Sequence, residues 1–361
     1  MVTEIELETI GRAFGIKTPF KKHEALTSGH INDTYLVTQW NDEKYIVQRL
    51  NHLVFPNIHA VMANKVLVST HLQKQYAHAA SPYQAVSFLK TTQNAYVYFY
   101  KNTYWNVMLY IPNAVTIQTT KNPDITQEAG KLYGDFIFRT SGIKISSLDV
   151  TLPKFHDVSW RFTQFNTALE QANNQRKKQA QETINFAQTH VVAMQKIEQL
   201  QAHNKIPIRI THNDTKLTNI LFNANYKGLA VIDLDTVMPG SVLFDFGDSV
   251  RSICATTTED DPNEAGTHIN LELYSAFCTG FASQVNTLLT PTEKANLVLG
   301  VQTLIYIMGL RFVTDFLNND TYYKTRYENH NLDRANNQFA LLKSVFAQVE
   351  AMERITQKHF R

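Results

Sequence analysis

The pattern of apolar and polar positions changes character near Pro112. Before it, short β-type runs dominate. Phe20–Ser28 reads as a first strand that turns at Gly29, and Thr34–Thr38, rich in β-branched and aromatic residues, reads as the second. Asn41-Asp42-Glu43 turns the chain into a third strand over Lys44–Leu50. A helical stretch runs from Asn57 to Gln75, and Gln84–Leu89, Ala95–Tyr100 and Tyr104–Ile111 read as three further strands.

After Pro112 the period becomes helical. Ala129, Leu132, Tyr133, Phe136 and Ile137 share one helix face, as do Ile184, Ala187, Val191 and Met194. Two short apolar runs, Ile220–Phe222 and Leu229–Leu234, flank the turn-like Asn223–Gly228 and predict a hairpin. Pro291 predicts the start of an apolar helix through Ala295–Leu310. The expectation is an α+β chain with a β-rich lobe over 1–111 and a larger helical lobe over 112–361, with a ligand cleft between them.

Composition narrows the function classes. Of 361 residues, 34 are basic and 32 acidic, a net charge of +2, so no charge excess calls for nucleic acid or an anionic membrane. Ala295–Leu310 is shorter than a membrane span and is interrupted by Asn296, Gln302 and Thr303. The N-terminus is acidic and amphipathic, unlike a signal peptide. Cys254 and Cys278 lack any zinc or redox spacing and read as reduced core residues. A soluble, cytoplasmic protein with no nucleic-acid or membrane partner is expected; the oligomeric state is not legible.

The chemistry concentrates between Thr211 and Gly240. Asp214 stands in a polar loop, Lys216 follows two residues later, Asn219 begins the hairpin and Asp233 ends it. A hairpin joins its own ends, so Asn219 and Asp233 are expected side by side. Magnesium takes hard oxygen ligands, few of them from protein when phosphates supply the rest. Asn219 and Asp233 offer an amide oxygen and a carboxylate, Asp214 can accept a proton from an attacking hydroxyl, and Lys216 can set a cation near a γ-phosphate. Asp233-Leu234-Asp235 also fits the DxD metal motif of a glycosyltransferase, but that reading leaves Asp214 and Asn219 without a purpose.

His212-x-Asp214-x-Lys216-x-x-Asn219 followed by Asp233 resembles the catalytic and metal loops of the protein-kinase-like superfamily, in the form found in the aminoglycoside phosphotransferase branch. The resemblance implies ATP and Mg2+ as cofactors and a bilobal kinase-like fold. It implies a carboxylate bracing the catalytic loop, for which Asp245 is the candidate beside His212; Asp248 and Arg251 can instead pair along a helix. A phosphate-covering loop then falls on Ser28, Gly29, His30 and Asn32. The place of the third strand's phosphate-binding lysine falls on Gln48 or Arg49, Arg49 being preferred for its charge. The hinge for adenine falls on Tyr110 and Ile111. The helix over Asn57–Gln75 contains no Asp or Glu, so the usual lysine–glutamate pair cannot form from it.

Gly29–Tyr35, Tyr45–Asn51, Val231–Gly240 (VIDLDTVMPG), Arg311–Asp315, Asp320–Lys324 and Asn331–Arg334 further resemble the N-acetylhexosamine 1-kinase family. That resemblance implies transfer of the ATP γ-phosphate to the anomeric hydroxyl of N-acetylglucosamine or N-acetylgalactosamine. By position, its sugar contacts fall on His30, Asp214, Arg311 and Tyr322. Read without it, Arg311 pairs with Asp315 and Tyr322 packs between lobes. Other acceptors on the same scaffold (another sugar, choline, homoserine, an aminoglycoside) and a non-catalytic nucleotide-binding module remain the alternatives. A cationic acceptor would need acidic groups, and Glu259-Asp260-Asp261 reads as a solvated loop.

Overall fold

The structure is a computed structural model that describes residues 2–26 and 31–361. Its first helix, α1 (Glu4–Ala13), opens with a reciprocal cap between Thr3 and Glu6. Five antiparallel strands follow in the spatial order β1-β2-β3-β5-β4: β1 (Lys22–Leu26), β2 (Asp33–Thr38), β3 (Lys44–Leu50), β4 (Tyr98–Tyr100) and β5 (Thr103–Leu109). Helix α2 (Ile58–His78), started by the Asn57 side chain on the Ala60 N–H, lies between β3 and β4.

Alternation along β3 assigns the two faces of this sheet. Val47 faces α1 with Val37, Trp105 and Val107 around Leu7 and Ile10. Gln48 and Leu50 face α2, where Leu50 packs with Ile58, Val61 and Met62. The expected strand over Gln84–Leu89 is a single bridge, Phe88 to Met108, beside β5. Its backbone makes only isolated bonds there, such as Leu89 N–H to Val107 C=O at 2.9 Å.

The larger lobe is helical: α3 (Pro123–Thr140), α4 (Val158–Gln171), α5 (Asn174–Gln179), α6 (Gln181–Met194), α7 (Lys196–Ala202), α8 (Val242–Ile253), α9 (Leu271–Val285), α10 (Pro291–Ala295), α11 (Leu297–Leu317) and α12 (His330–His359). Short strands sit at the lobe junction. β6 (Val115–Thr116) pairs with β8 (Ile220–Phe222), which forms the expected hairpin with β9 (Gly228–Val231). β7 (Arg209–Thr211) pairs with β10 (Met238–Gly240).

The expected apolar helix is divided. Pro291 opens the one-turn α10, and the chain breaks at Asn296 before α11. Among the described residues α11 is the one helix long and apolar enough to cross a membrane, but 72% of that stretch is buried inside the lobe. It meets α8 where Gly247 faces Gly300, and a methyl group on either glycine would strike the other helix's backbone. That close approach offsets the roughly 1 kcal/mol that glycine costs inside a helix, and it fixes α8, which supports the site below. Cys254 and Cys278 are free and buried, as expected.

The lobes are joined through α2. Asn64, buried, donates to Asp149 C=O at 2.8 Å and Val237 C=O at 2.9 Å and accepts from Asp149 N–H at 3.0 Å. Each bond would leave a buried polar group unpaired if broken. The helix is thereby held to the larger lobe, into whose core its Val68, Leu72 and Tyr76 also pack.

Candidate active site

The loop after β7 is pinned by groups that reach it from every side. Asp245, in the first turn of α8, accepts from His212 N–H at 2.7 Å and Asn213 N–H at 2.8 Å. Asp248, one turn later, accepts from Thr215 N–H at 2.9 Å, and Arg251 grips Asp248 at 2.8 Å. Thr236 donates to His212 C=O at 2.6 Å, and the buried Tyr133 hydroxyl donates to Lys216 C=O at 2.6 Å. His212 is itself buried, which pushes its imidazole pKa down. A neutral ring with its proton on Nε2 donates to Ile232 C=O at 2.9 Å and accepts from Asp214 N–H at 3.3 Å on Nδ1. Asp245 and His212 thus stand where bracing was expected, and Asp248 and Arg251 form the helix pair.

Four side chains converge above this frame. Lys216 Nζ lies 2.9 Å from Asp214 Oδ2, and Asn219 Nδ2 donates to the same oxygen at 2.9 Å. Asn219 closes a 3-10 turn just before β8, and its C=O accepts from Ile232 N–H at 2.9 Å, so Asp233 lies beside it. Asp233 is two residues beyond β9 rather than on it, with φ 62° in the left-handed region. Aspartate tolerates that region better than most residues.

The carboxylates differ in electrostatics. Burial pushes Asp214 up, but the Lys216 charge, its hydrogen bond, His212 and Asn219 together hold its carboxyl below the usual range. Asp233 is pushed up to about 7, first by burial and then by Asp235 and Asp214, with Lys216 and Lys65 opposing. Asp214 is therefore ionised at neutral pH, while Asp233 sits in an excess of negative charge that a cation would relieve. Among the described residues no three His, Cys, Asp or Glu side chains form a metal-binding cluster. The donor set fits a hard cation held by one carboxylate and one amide oxygen, with its other ligands supplied from elsewhere.

The small lobe closes over this point through Asn32. Its side chain donates to Asp235 and accepts from Asn51 N–H at 2.9 Å. Asp235 also pairs with Lys65 of α2, and Lys65 Nζ lies 3.3 Å from Gln48 Oε1. The structure does not bring Arg49 to the cleft. Strand alternation puts it on the α1 face, where Asp33 holds its Nε at 2.8 Å and Trp105 lies under its guanidinium. Gln48 is the β3 side chain that faces α2. Tyr110 and Ile111 follow β5 directly, with Tyr110 N–H on Lys44 C=O at 3.3 Å. Ser28, Gly29 and His30 lie outside the described residues.

A cleft of about 300 Å³ is lined by Arg161, Gln164, Arg311, Asp315, Tyr322 and Tyr323 among others. It continues into one of about 230 Å³ between Leu53–Pro56 of the small lobe and Thr151–Phe155 of the large one, again with Arg161 and Tyr322. Asp214 is not in the walls of either. His156 stands near the junction, feeling Arg311 and Arg161 and also Asp214. Arg311 is not paired with Asp315. That carboxylate accepts instead from the N–H groups of Thr321, Tyr322 and Tyr323 at 3.0, 2.8 and 2.9 Å, and so shapes the turn that presents Tyr322. Arg311 lies over Phe155 and Tyr323, at 5.3 and 5.6 Å from the ring centres. Tyr322 is 58% exposed at the mouth rather than packed between the lobes.

The acidic run nearby is not free. Glu259 meets Arg251 at 2.9 Å, and Asp260 lies among Arg334, Arg326 and His330. Glu259 and Asp260 are thus paired within a partly exposed loop rather than left to solvent as expected from the sequence.

Lys65, Arg161 and His156 escaped the sequence reading. Lys65 had a legible signal: it is a lone charge on the buried stripe Val61, Met62, Val68, Leu72, Tyr76 of α2. Arg161 and His156 had none, because only the tertiary arrangement brings them to Arg311.

The sequence profile of the phosphotransferase enzyme family matches residues 22–276. Solved structures share the fold across nearly the whole chain at low identity. An aminoglycoside phosphotransferase from Alicyclobacillus acidocaldarius is 13% identical, with a TM-score of 0.60 over 93% of this chain and 94% of its own. An amicoumacin kinase in complex with AMP-PNP, Ca2+ and Ami is 12% identical, with 0.63 over 99% and 94%. An ethanolamine kinase from Plasmodium vivax is 13% identical, with 0.58 over 88% and 82%.

Proposed function

The chain belongs to the phosphotransferase enzyme family, and from that membership we propose that it is an ATP-dependent kinase of a neutral sugar, adding phosphate to the anomeric hydroxyl of an N-acetylhexosamine. The observation that carries the reaction type is the convergence of Asp214, Lys216, Asn219 and Asp233, with Asp214 held ionised.

In this reading Asp214 orients the acceptor hydroxyl and takes its proton as the oxygen bonds to the γ-phosphorus. The bond from that phosphorus to the bridging oxygen breaks and ADP leaves. Lys216 sets positive charge beside the transferring group. Asn219 and Asp233 would hold Mg2+, which supplies charge neutralisation of the phosphates when bound. Tyr110 and Ile111 would border the adenine.

The cleft favours a neutral polyol over an amine. Arg161 and Arg311 face it, and its carboxylate, Asp315, is committed to three backbone N–H groups. A cationic acceptor would meet uncompensated positive charge. Arginine donors and the exposed Tyr322 ring suit sugar hydroxyls, an acetamide oxygen and an apolar sugar face.

The test is Asp214→Asn, a near-isosteric change. Turnover of ATP with N-acetylglucosamine should fall by roughly 10²–10⁴-fold or more while the melting temperature stays close to that of the parent chain. Turnover within a few fold of the parent would remove Asp214 from the role of base.

A further inference from the structure

In the arrangement expected of a kinase, a strand lysine meets the phosphates and an acid on the next helix holds it. Neither residue is present here: the cleft side of β3 carries Gln48, and α2 contains no acid over Ile58–His78. The charge pair that joins the lobes exists all the same, with its polarity reversed. The lysine, Lys65, comes from the helix, and the carboxylate, Asp235, comes from the loop that bears Asp233.

We infer that Lys65 is the cation that meets the nucleotide's phosphate chain, and that Asp235 and Gln48 hold it there in place of the strand lysine and helix acid. The inference rests on the ATP-kinase reading above.

Three observations support it. First, the Lys65 ammonium is 2% exposed, with three protons and, among the described residues, two hydrogen-bond acceptors, Asp235 and Gln48 at 3.3 Å, beside the Phe88 ring at 5.4 Å from its centre. A buried ammonium with a proton to spare suits a further acceptor. Second, the ammonium lies where the loop before β2, strand β3 and the turn after Asp233 meet. Asp235 also takes the Asn32 amide from the loop between β1 and β2, Gln48 belongs to β3, and Asp235 follows Asp233 by two residues in the same turn. Third, Arg49, the other basic candidate on β3, points to the α1 face, so strand geometry removes it from the cleft.

The neutral Gln48 also becomes intelligible. A lysine at that position would place a second ammonium against Lys65, whereas the amide oxygen accepts from it. The neighbouring residue fixes the helix: Asn64 ties α2 to Asp149 and Val237 of the large lobe. Lys65 is therefore set against the Asp233 loop by the large lobe as well as by the sheet.

The experiment measures dissociation constants of adenosine, ADP and ATP, with Mg2+, for the full chain and its Lys65→Gln variant. Loss of a charge-assisted contact weakens binding on the order of 10- to 100-fold. That loss should appear for ADP and ATP and not for adenosine, which lacks the phosphates. Lys65→Arg should recover most of it. Because Lys65 is buried, Lys65→Met combined with Asp235→Asn serves as a second variant that leaves no unpaired charge, and it should show the same loss of preference for phosphate. A folded variant that still prefers ATP over adenosine as strongly as the parent chain does would overturn the inference and leave the kinase reading standing. A parent chain that binds none of the three nucleotides would contradict both.

Discussion

Lys216 Nζ sits 2.9 Å from Asp214 Oδ2, and this contact keeps a partly buried carboxylate ionised. The sign of its removal follows directly. Burial raises the Asp214 pKa, and the Lys216 charge is the first of the opposing influences. In Lys216→Met the raising influence should win, so the acidic limb of kcat/KM against pH should move to higher pH. A profile with an unmoved acidic limb and a uniformly lower rate would mean that Lys216 acts on the phosphate alone.

Arg161 and Arg311 line one cleft, which the proposed function assigns to the acceptor. Burial first and the Arg311 charge second pull the Arg161 guanidinium down to about 10, so it remains protonated at neutral pH. It has partial satisfaction from Phe155 C=O at 3.0 Å and Gln164 Oε1 at 3.0 Å. Arg161→Gln should raise the KM for the acceptor roughly 10-fold, as loss of a hydrogen bond to a charged group does, and leave the KM for ATP within about twofold. Equal changes in both constants would place Arg161 outside the acceptor site.

His156 links the cleft to stability. Its ring lies 4.9 Å from Phe244 and 4.6 Å from Phe155, and burial, with Arg311 and Arg161, holds its pKa down at about 3. A depressed histidine contributes stability that is present above its ordinary pKa of about 6.5 and is lost as pH falls toward 3. The ring is only half-buried, so the loss between pH 7 and pH 5 should be roughly 1 kcal/mol rather than the full value of the shift. In His156→Gln that share of the acid sensitivity should vanish, measured as urea unfolding at both pH values. An identical pH dependence in the variant would show that the ring is not held neutral by its surroundings.

Much of the fold follows from short-range pattern. The β2 and β3 strands carry alternating side chains between turn residues, and the structure keeps their bounds within one residue of those expected. The Gln84–Leu89 run failed as a strand because only Phe88 finds a bridge partner, a matter of long-range pairing. The spacing of Asp214, Asn219 and Asp233 was legible because a hairpin is a local device that returns its ends to one place. Arg49 went the other way: its charge suggested a role that strand alternation forbids. Arg161 lies on α4 and Arg311 on α11, and nothing in local sequence says that these two helices share a cleft. Lys65 and Asp235 are separated by 170 positions, so their pairing appears only once α2 is docked on the large lobe.

The most direct test of the account is product analysis by phosphorus NMR after incubating the chain with ATP, Mg2+ and, separately, N-acetylglucosamine, N-acetylgalactosamine, choline, ethanolamine and an aminoglycoside. ADP together with a sugar 1-phosphate is expected from an N-acetylhexosamine, and no product from the amines. Phosphorylation of an amine-bearing alcohol, with the N-acetylhexosamines untouched, would contradict it.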